Sequence, residues 1–113
     1  MANSTNPLQD QIKALRDKYV AELPQKIKLI EEAWETAGKN KWNTDDLTRV
    51  ERLVHTLVGS GATFGVPEVS QRAREMETAL KLLQTAGASQ STDARARILP
   101  LLDSLNRAAI NAH

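Results

Sequence analysis

Two side chains in this sequence carry an imidazole, His55 and His113, and none carries a thiol. His55 stands inside RVERLVHTLVGSGATFGVPEV, residues 49–69, with Gly59 and Gly61 close behind it. An imidazole near neutral pH can ligate a metal, relay a proton or act as a nucleophile. The metal reading is poorly supported. His113 is the only other histidine, cysteine is absent, and no carboxylate pair brackets His55 at ligand spacing. A Ser-His-Asp triad has no glycine-rich nucleophile turn, and Ser60, although close in sequence, points around the helix. The glycines are the informative part. Each costs about 1 kcal/mol relative to alanine in a helix interior, so something is expected to come very close to the helix surface near the histidine.

The elements that must position His55 are helical. With 113 residues, 41% of them hydrophobic and 26% charged, the chain reads as one globular domain, residues 1–113, with frayed ends at 1–6 and 111–113. Fifteen Lys and Arg against fourteen Asp and Glu leave a formal charge of +1. That balance gives no reason to expect nucleic acid or an anionic membrane. The opening MANSTNPLQDQ has no apolar stretch of signal type, and no run is long enough to span a bilayer. A cytoplasmic protein fits, and a segment of a longer protein would read the same.

Five helical segments are expected and no strand. The first opens at Asn6-Pro7-Leu8-Gln9, where Asn6 caps, Pro7 takes the first position and Gln9 completes a capping box, and runs to about Glu22. Pro24 either kinks it or begins a second helix that carries Leu23, Ile27, Ile30 and Trp34 to Ala37 and ends at Gly38. Asn43 is the expected N-cap of the next, with Trp42 stapled against Leu47. Its stripe Leu47, Val50, Val54, Leu57, Gly61, Phe64 alternates spacings of three and four, the seam of a packed bundle. Gly65-Val66-Pro67 ends that helix and starts the fourth, which buries Val69, Ala73, Met76, Leu80 and Leu83. TAGASQSTD separates it from a last helix at about 92–110, which Pro100 should kink or shorten. The fold expected is all-α: an antiparallel up-down-up-down four-helix bundle with a short additional N-terminal helix. Such a bundle buries its own stripes, so a monomer is expected.

On the helical wheel His55 lies roughly 130° from the core direction, among Thr48, Glu51, Arg52, Gly59 and Ala62. Gly61 falls on the buried stripe, where close helix packing explains it. Gly59 does not, and its missing side chain opens space above an exposed imidazole. On the fourth helix Glu77 lies roughly 80° from the apolar stripe, on a flank shared with Ser70, Arg74 and Lys81.

His55-Thr56-Leu57-Val58-Gly59-Ser60-Gly61, followed by Ala62-Thr63-Phe64-Gly65, resembles the H-x-L-K-G-S/A/G signature of histidine-containing phosphotransfer (HPt) domains. The upstream ELPQKIKLIEEAW resembles the E-L-P-x-x-L helix of the same family, which includes the phosphotransfer domain of chemotaxis-type histidine kinases. The similarity covers roughly residues 8–84, and the last helix agrees only in type. It implies a four-helix bundle whose histidine exchanges a phosphoryl group with an aspartate of a response-regulator receiver domain, or takes one from a histidine kinase. The partner supplies the Mg²⁺ and the catalytic groups, so the domain is a phosphoryl carrier, not an enzyme, and needs no cofactor of its own. Gly59 then gives up helix stability so that the partner's pocket can reach the ring. An imidazole ordinarily titrates at about 6.5, so much of it is neutral and nucleophilic, and one nitrogen can attack phosphorus while the other is held by a hydrogen bond. Glu77, 22 residues on, stands where the chemotaxis-kinase subset places a glutamate beside the histidine. It reads either as that acceptor or as a solvated partner of Lys81.

The pattern breaks at one position. The family usually has lysine three residues after the histidine, and here that residue is Val58. Val58, with Arg52 and Ala62, is expected to widen a docking patch for the receiver. If a compensating cation exists it should be Arg74 or Lys81, with Arg52 also close on the same helix, and the sequence does not rank them. The alternative to a carrier is a docking module of the same fold that binds a receiver or kinase without carrying phosphate.

Overall fold

The structure, a computed structural model, describes residues 7–112. It contains α1 (Pro7–Lys39), α2 (Thr44–Thr63), α3 (Pro67–Ala86), α4 (Thr92–Ala96) and α5 (Ile98–Asn111), with no strand among the described residues. The expected cap at Asn6 lies outside them.

Pro7–Lys39 is one continuous helix of 33 residues with Pro24 inside it, so a separate N-terminal helix does not exist among the described residues. Proline forfeits the hydrogen bond to Val20 and costs about 3 kcal/mol in a helix interior. Around it Leu23, Ile27, Ile30 and Trp34 are all buried. Fully burying each such side chain is worth roughly 1.5–3 kcal/mol, which offsets the proline. Gly38 does not end the helix either. A Cβ there would lie 3.0 Å from Cη2 of Trp42, so this glycine admits the Trp42 ring, which sits 4.5 Å from the ring of Trp34 and under the Arg95 guanidinium. The chain reverses through Lys41 and Trp42, both at φ 60° without being glycine. The Trp42 N–H donates to the Ala37 carbonyl at 2.7 Å, which holds that turn.

Asn43 caps α2 as its sequence suggests: its Oδ1 accepts from the Asp46 N–H at 2.9 Å. Asp45 and Asp46 add negative charge at the positive end of the helix dipole. At the other end Gly65 takes φ 74° and the Val66 N–H bonds the Gly61 carbonyl at 2.7 Å. Pro67 then opens α3, where its missing N–H would have had no helical partner. Gly87, at φ 84°, closes α3.

The last helix is divided at Arg97. The break places Pro100 in the first turn of α5, the part of a helix that tolerates proline. Asn111 is the final residue of α5, and the Ala112 N–H bonds the Ala108 carbonyl, so helical order reaches further than the expected fraying at 111.

The core collects one stripe from each long helix: Leu23, Ile27 and Ile30 of α1, Leu47, Val50, Val54 and Leu57 of α2, Met76, Leu80 and Leu83 of α3, and Ile98 and Leu105 of α5. Within it α2 and α3 form the closest pair. A Cβ on Gly61 would stand 2.9 Å from the Ser70 backbone nitrogen, so only glycine permits this approach.

Candidate functional site

With Val54 and Leu57 packed inward, His55 is turned to the outside of α2, and its side chain is 73% exposed. Helical side chains lean toward the N-terminus of their helix, so residue 59 covers the surface over the turn that holds His55. A Cβ built on Gly59 meets nothing within 4 Å. The exposed Ala62 lies one turn further on. The surface on that side of the imidazole is bare.

Across the α2–α3 seam the Glu77 carboxylate meets the ring. His55 Nδ1 and Glu77 Oε2 are 2.6 Å apart, and the Glu77 side chain is only 14% exposed. A carboxylate accepts, so Nδ1 carries the hydrogen, and in the neutral ring Nε2 holds the lone pair. Lys81, one turn further along α3, places Nζ 4.0 Å from the same Glu77 oxygen. His55, Glu77 and Lys81 thus form a chain of three groups. A shallow groove beside the ring is lined by Thr48, Glu51, Arg52, His55, Thr56 and Glu77, and Glu51 accepts a hydrogen bond from Gln84 of α3.

Arg52 and Arg74 are both exposed and make no ion pair among the described residues. Neither is brought to the Glu77 carboxylate. One other expected position differs. Val58, read as part of an apolar docking patch, is 7% exposed and belongs to the core. Ser70 shares the flank of Glu77 as expected and faces α2 as Glu77 does, but it is buried there, and its Oγ donates to the Val58 carbonyl at 2.6 Å. Both follow from Gly61, which lets α3 come so close that residues flanking the stripe are covered.

The opposite flank of α2 holds a pair that sequence reasoning missed. The Tyr19 hydroxyl and Ser60 Oγ are 2.7 Å apart, and the Tyr19 ring stacks on Phe64 with centroids 4.9 Å apart. Burial pushes the Tyr19 phenol above its ordinary value, while the Ser60 hydrogen bond pulls the other way. Only the expected place of Phe64 on the apolar stripe hinted at this contact, since nothing local identifies its ring partner; the ring is partly buried. No group of three His, Cys, Asp or Glu side chains able to hold a metal occurs among the described residues.

An exposed imidazole held at one nitrogen and open at the other is suited to accepting a group from a second protein. The family comparison decides which kind of module this is. A family model described as the Hpt domain matches residues 14–111. The chain belongs to the Hpt domain family. The match takes in α5, where the sequence signature had reached only to about residue 84. No curated protein and no solved structure matches the chain. Hpt domains perform histidine phosphotransfer in phosphorelays, as phosphoryl carriers and not as enzymes. They work with receiver domains and kinases of two-component systems. In this Hpt domain no helix among the described residues is long and apolar enough to cross a membrane.

Proposed function

We propose that His55 is the phosphoryl acceptor of this Hpt domain and exchanges the group with an aspartate of a response-regulator receiver. The observation that carries this reading is the 2.6 Å contact between Nδ1 and Glu77, made by a ring that is otherwise exposed. The Nε2 lone pair forms the new N–P bond. The O–P bond of the partner's acyl phosphate breaks, and its electron pair stays on the leaving carboxylate. The Nδ1 hydrogen remains in place, so the ring becomes a cation that faces the Glu77 carboxylate. No proton has to leave during the attack, and Glu77 stabilises the charge that develops.

Receiver docking covers the face of Arg52, Gly59 and Ala62, and the receiver brings the Mg²⁺ and the groups that stabilise the moving phosphoryl. The helices are read as an antiparallel up-down-up-down bundle, supported by the pairing of Tyr19 with Ser60 at one end of α2 and of Trp34 with Trp42 at the other. A cytoplasmic monomer fits this role.

The test is transfer from a panel of phosphorylated receivers, followed as acid-labile label on the chain. Wild type should take label and His55→Gln should take none. Equal labelling of the variant would refute the assignment. Receiver binding without label on wild type would leave the chain a docking module.

A further inference from the structure

We infer that Lys81 is the positioning residue that takes over the charge role left open by Val58, acting through Glu77. This rests on the proposed function of His55 and deepens it. The need arises from the site itself. Glu77 holds Nδ1, but its negative charge stands one imidazole ring away from where a phosphoryl dianion must arrive. A cation beside that carboxylate lowers its repulsion of the incoming dianion before the ring charge develops, and Val58, an apolar core residue, is not one.

The geometry ranks the three candidate cations. Side chains lean toward the N-terminus of their own helix. Lys81 follows Glu77 by one turn on α3, so its lean carries the ammonium back toward Glu77, where Nζ lies 4.0 Å from Oε2. Arg74 precedes Glu77 on the same helix and leans the other way, toward Ser70. Arg52 precedes His55 on α2 and leans toward Thr48. Arg52 lines the groove beside the ring, but among the described residues neither arginine makes a hydrogen bond or ion pair with Glu77 or His55. The other charges facing this part of α2 are occupied elsewhere or more distant: Glu51 is bonded by Gln84, and on the α1 side Lys26 lies beside Glu22 and over the Tyr19 ring. Lys18 and Glu22 line a groove with Thr56 and Ser60, on the flank of α2 away from Glu77. Among the described residues Lys81 alone has an ion-pair contact to Glu77 that extends the chain from His55.

With Lys81 in place the carboxylate and ammonium sum to zero at the nitrogen that is not phosphorylated. Without it one uncompensated negative charge faces the incoming dianion across a solvent-exposed gap. Such a charge should slow acceptance roughly three- to tenfold at low salt, and less as salt rises.

The test uses potassium phosphoramidate as the donor, so that receiver docking plays no part. Its N–P bond breaks as the His55 Nε2–P bond forms, and ammonia leaves. Formation of phosphohistidine is followed by phosphorus NMR and intact mass for wild type, Lys81→Met, Lys81→Arg and Lys28→Met. Lys28 is exposed on α1 and carries the same charge change away from the site. Lys81→Met should be slower by that factor, with the deficit shrinking at high salt. Lys81→Arg should recover most of the rate, and Lys28→Met should match wild type. Equal rates for Lys81→Met and wild type, failure of arginine to rescue, or an equal loss in Lys28→Met would each overturn the inference. If wild type labels at His55 and Lys81→Met keeps pace, only the role of Lys81 falls. If wild type does not label there at all, the function and the inference fall together.

Discussion

Gly59 and Gly61 stand two residues apart in α2, and each costs the helix about 1 kcal/mol relative to alanine. Their surroundings are opposite. A Cβ on Gly61 would strike the backbone of Ser70 at 2.9 Å, whereas a Cβ on Gly59 would meet nothing within 4 Å. The first glycine is required by the protein's own packing. No contact among the described residues requires the second, which fits the proposed access of a partner to His55. The two positions separate what the fold needs from what the function needs, within one turn of one helix.

Substitutions can break that comparison, and the largest effect is expected on transfer. Gly59→Leu places a branched side chain over the His55 turn without touching the core. Transfer from a phosphorylated receiver should fall by about a hundredfold or more, since small misplacements of reacting groups already cost that much. Thermal unfolding should show the variant at least as stable as wild type, by up to about 1 kcal/mol. A variant that unfolds early, or transfers normally, would show that Gly59 is not an access position.

Gly61→Ala should do the reverse. Backbone atoms cannot yield as a flexible side chain can, so α3 must shift, at a cost of about 1–3 kcal/mol. For a domain of this size that lowers the midpoint of thermal unfolding by about 4 °C or more. The predicted signature is lost stability with far less lost transfer per folded molecule than in Gly59→Leu.

The smallest effect sharpens the comparison on the α1 flank of α2. Tyr19 has its phenol pushed up by burial in the folded chain. The native state therefore holds that proton more tightly than the unfolded state. The associated stability is complete below the unfolded value of about 10 and is lost as pH rises through the higher folded value. Chemical denaturation above pH 10 should show this loss in wild type and a shallower one in Tyr19→Phe.

Much of this architecture was legible locally. The Asn43 cap, the Gly65-Val66-Pro67 stop and restart, and the core stripe of α2 and α3 each follow from residues close in sequence. What escaped the sequence depends on distant contacts. Pro24 is carried inside α1 by apolar burial on either side of it. Lys41 and Trp42 take left-handed conformations because Trp34, Gly38 and Arg95 hold the Trp42 ring. Pro100 moved the helix break back to Arg97. At the site, the outward turn of His55 and the open space at Gly59 could be read from periodicity. The meeting of Glu77 with His55 was one of two readings until the distance between them was known. The burial of Val58 and Ser70 was not legible because a wheel assigns an angle but not how closely the next helix approaches.

The most direct test of the central claim is which imidazole nitrogen carries the phosphoryl group. Nitrogen–phosphorus correlation NMR on the labelled protein distinguishes the two phosphohistidine isomers. With Nδ1 held 2.6 Å from Glu77, the group should sit on Nε2 of His55. Phosphorylation at Nδ1, or on any other residue, would contradict the account.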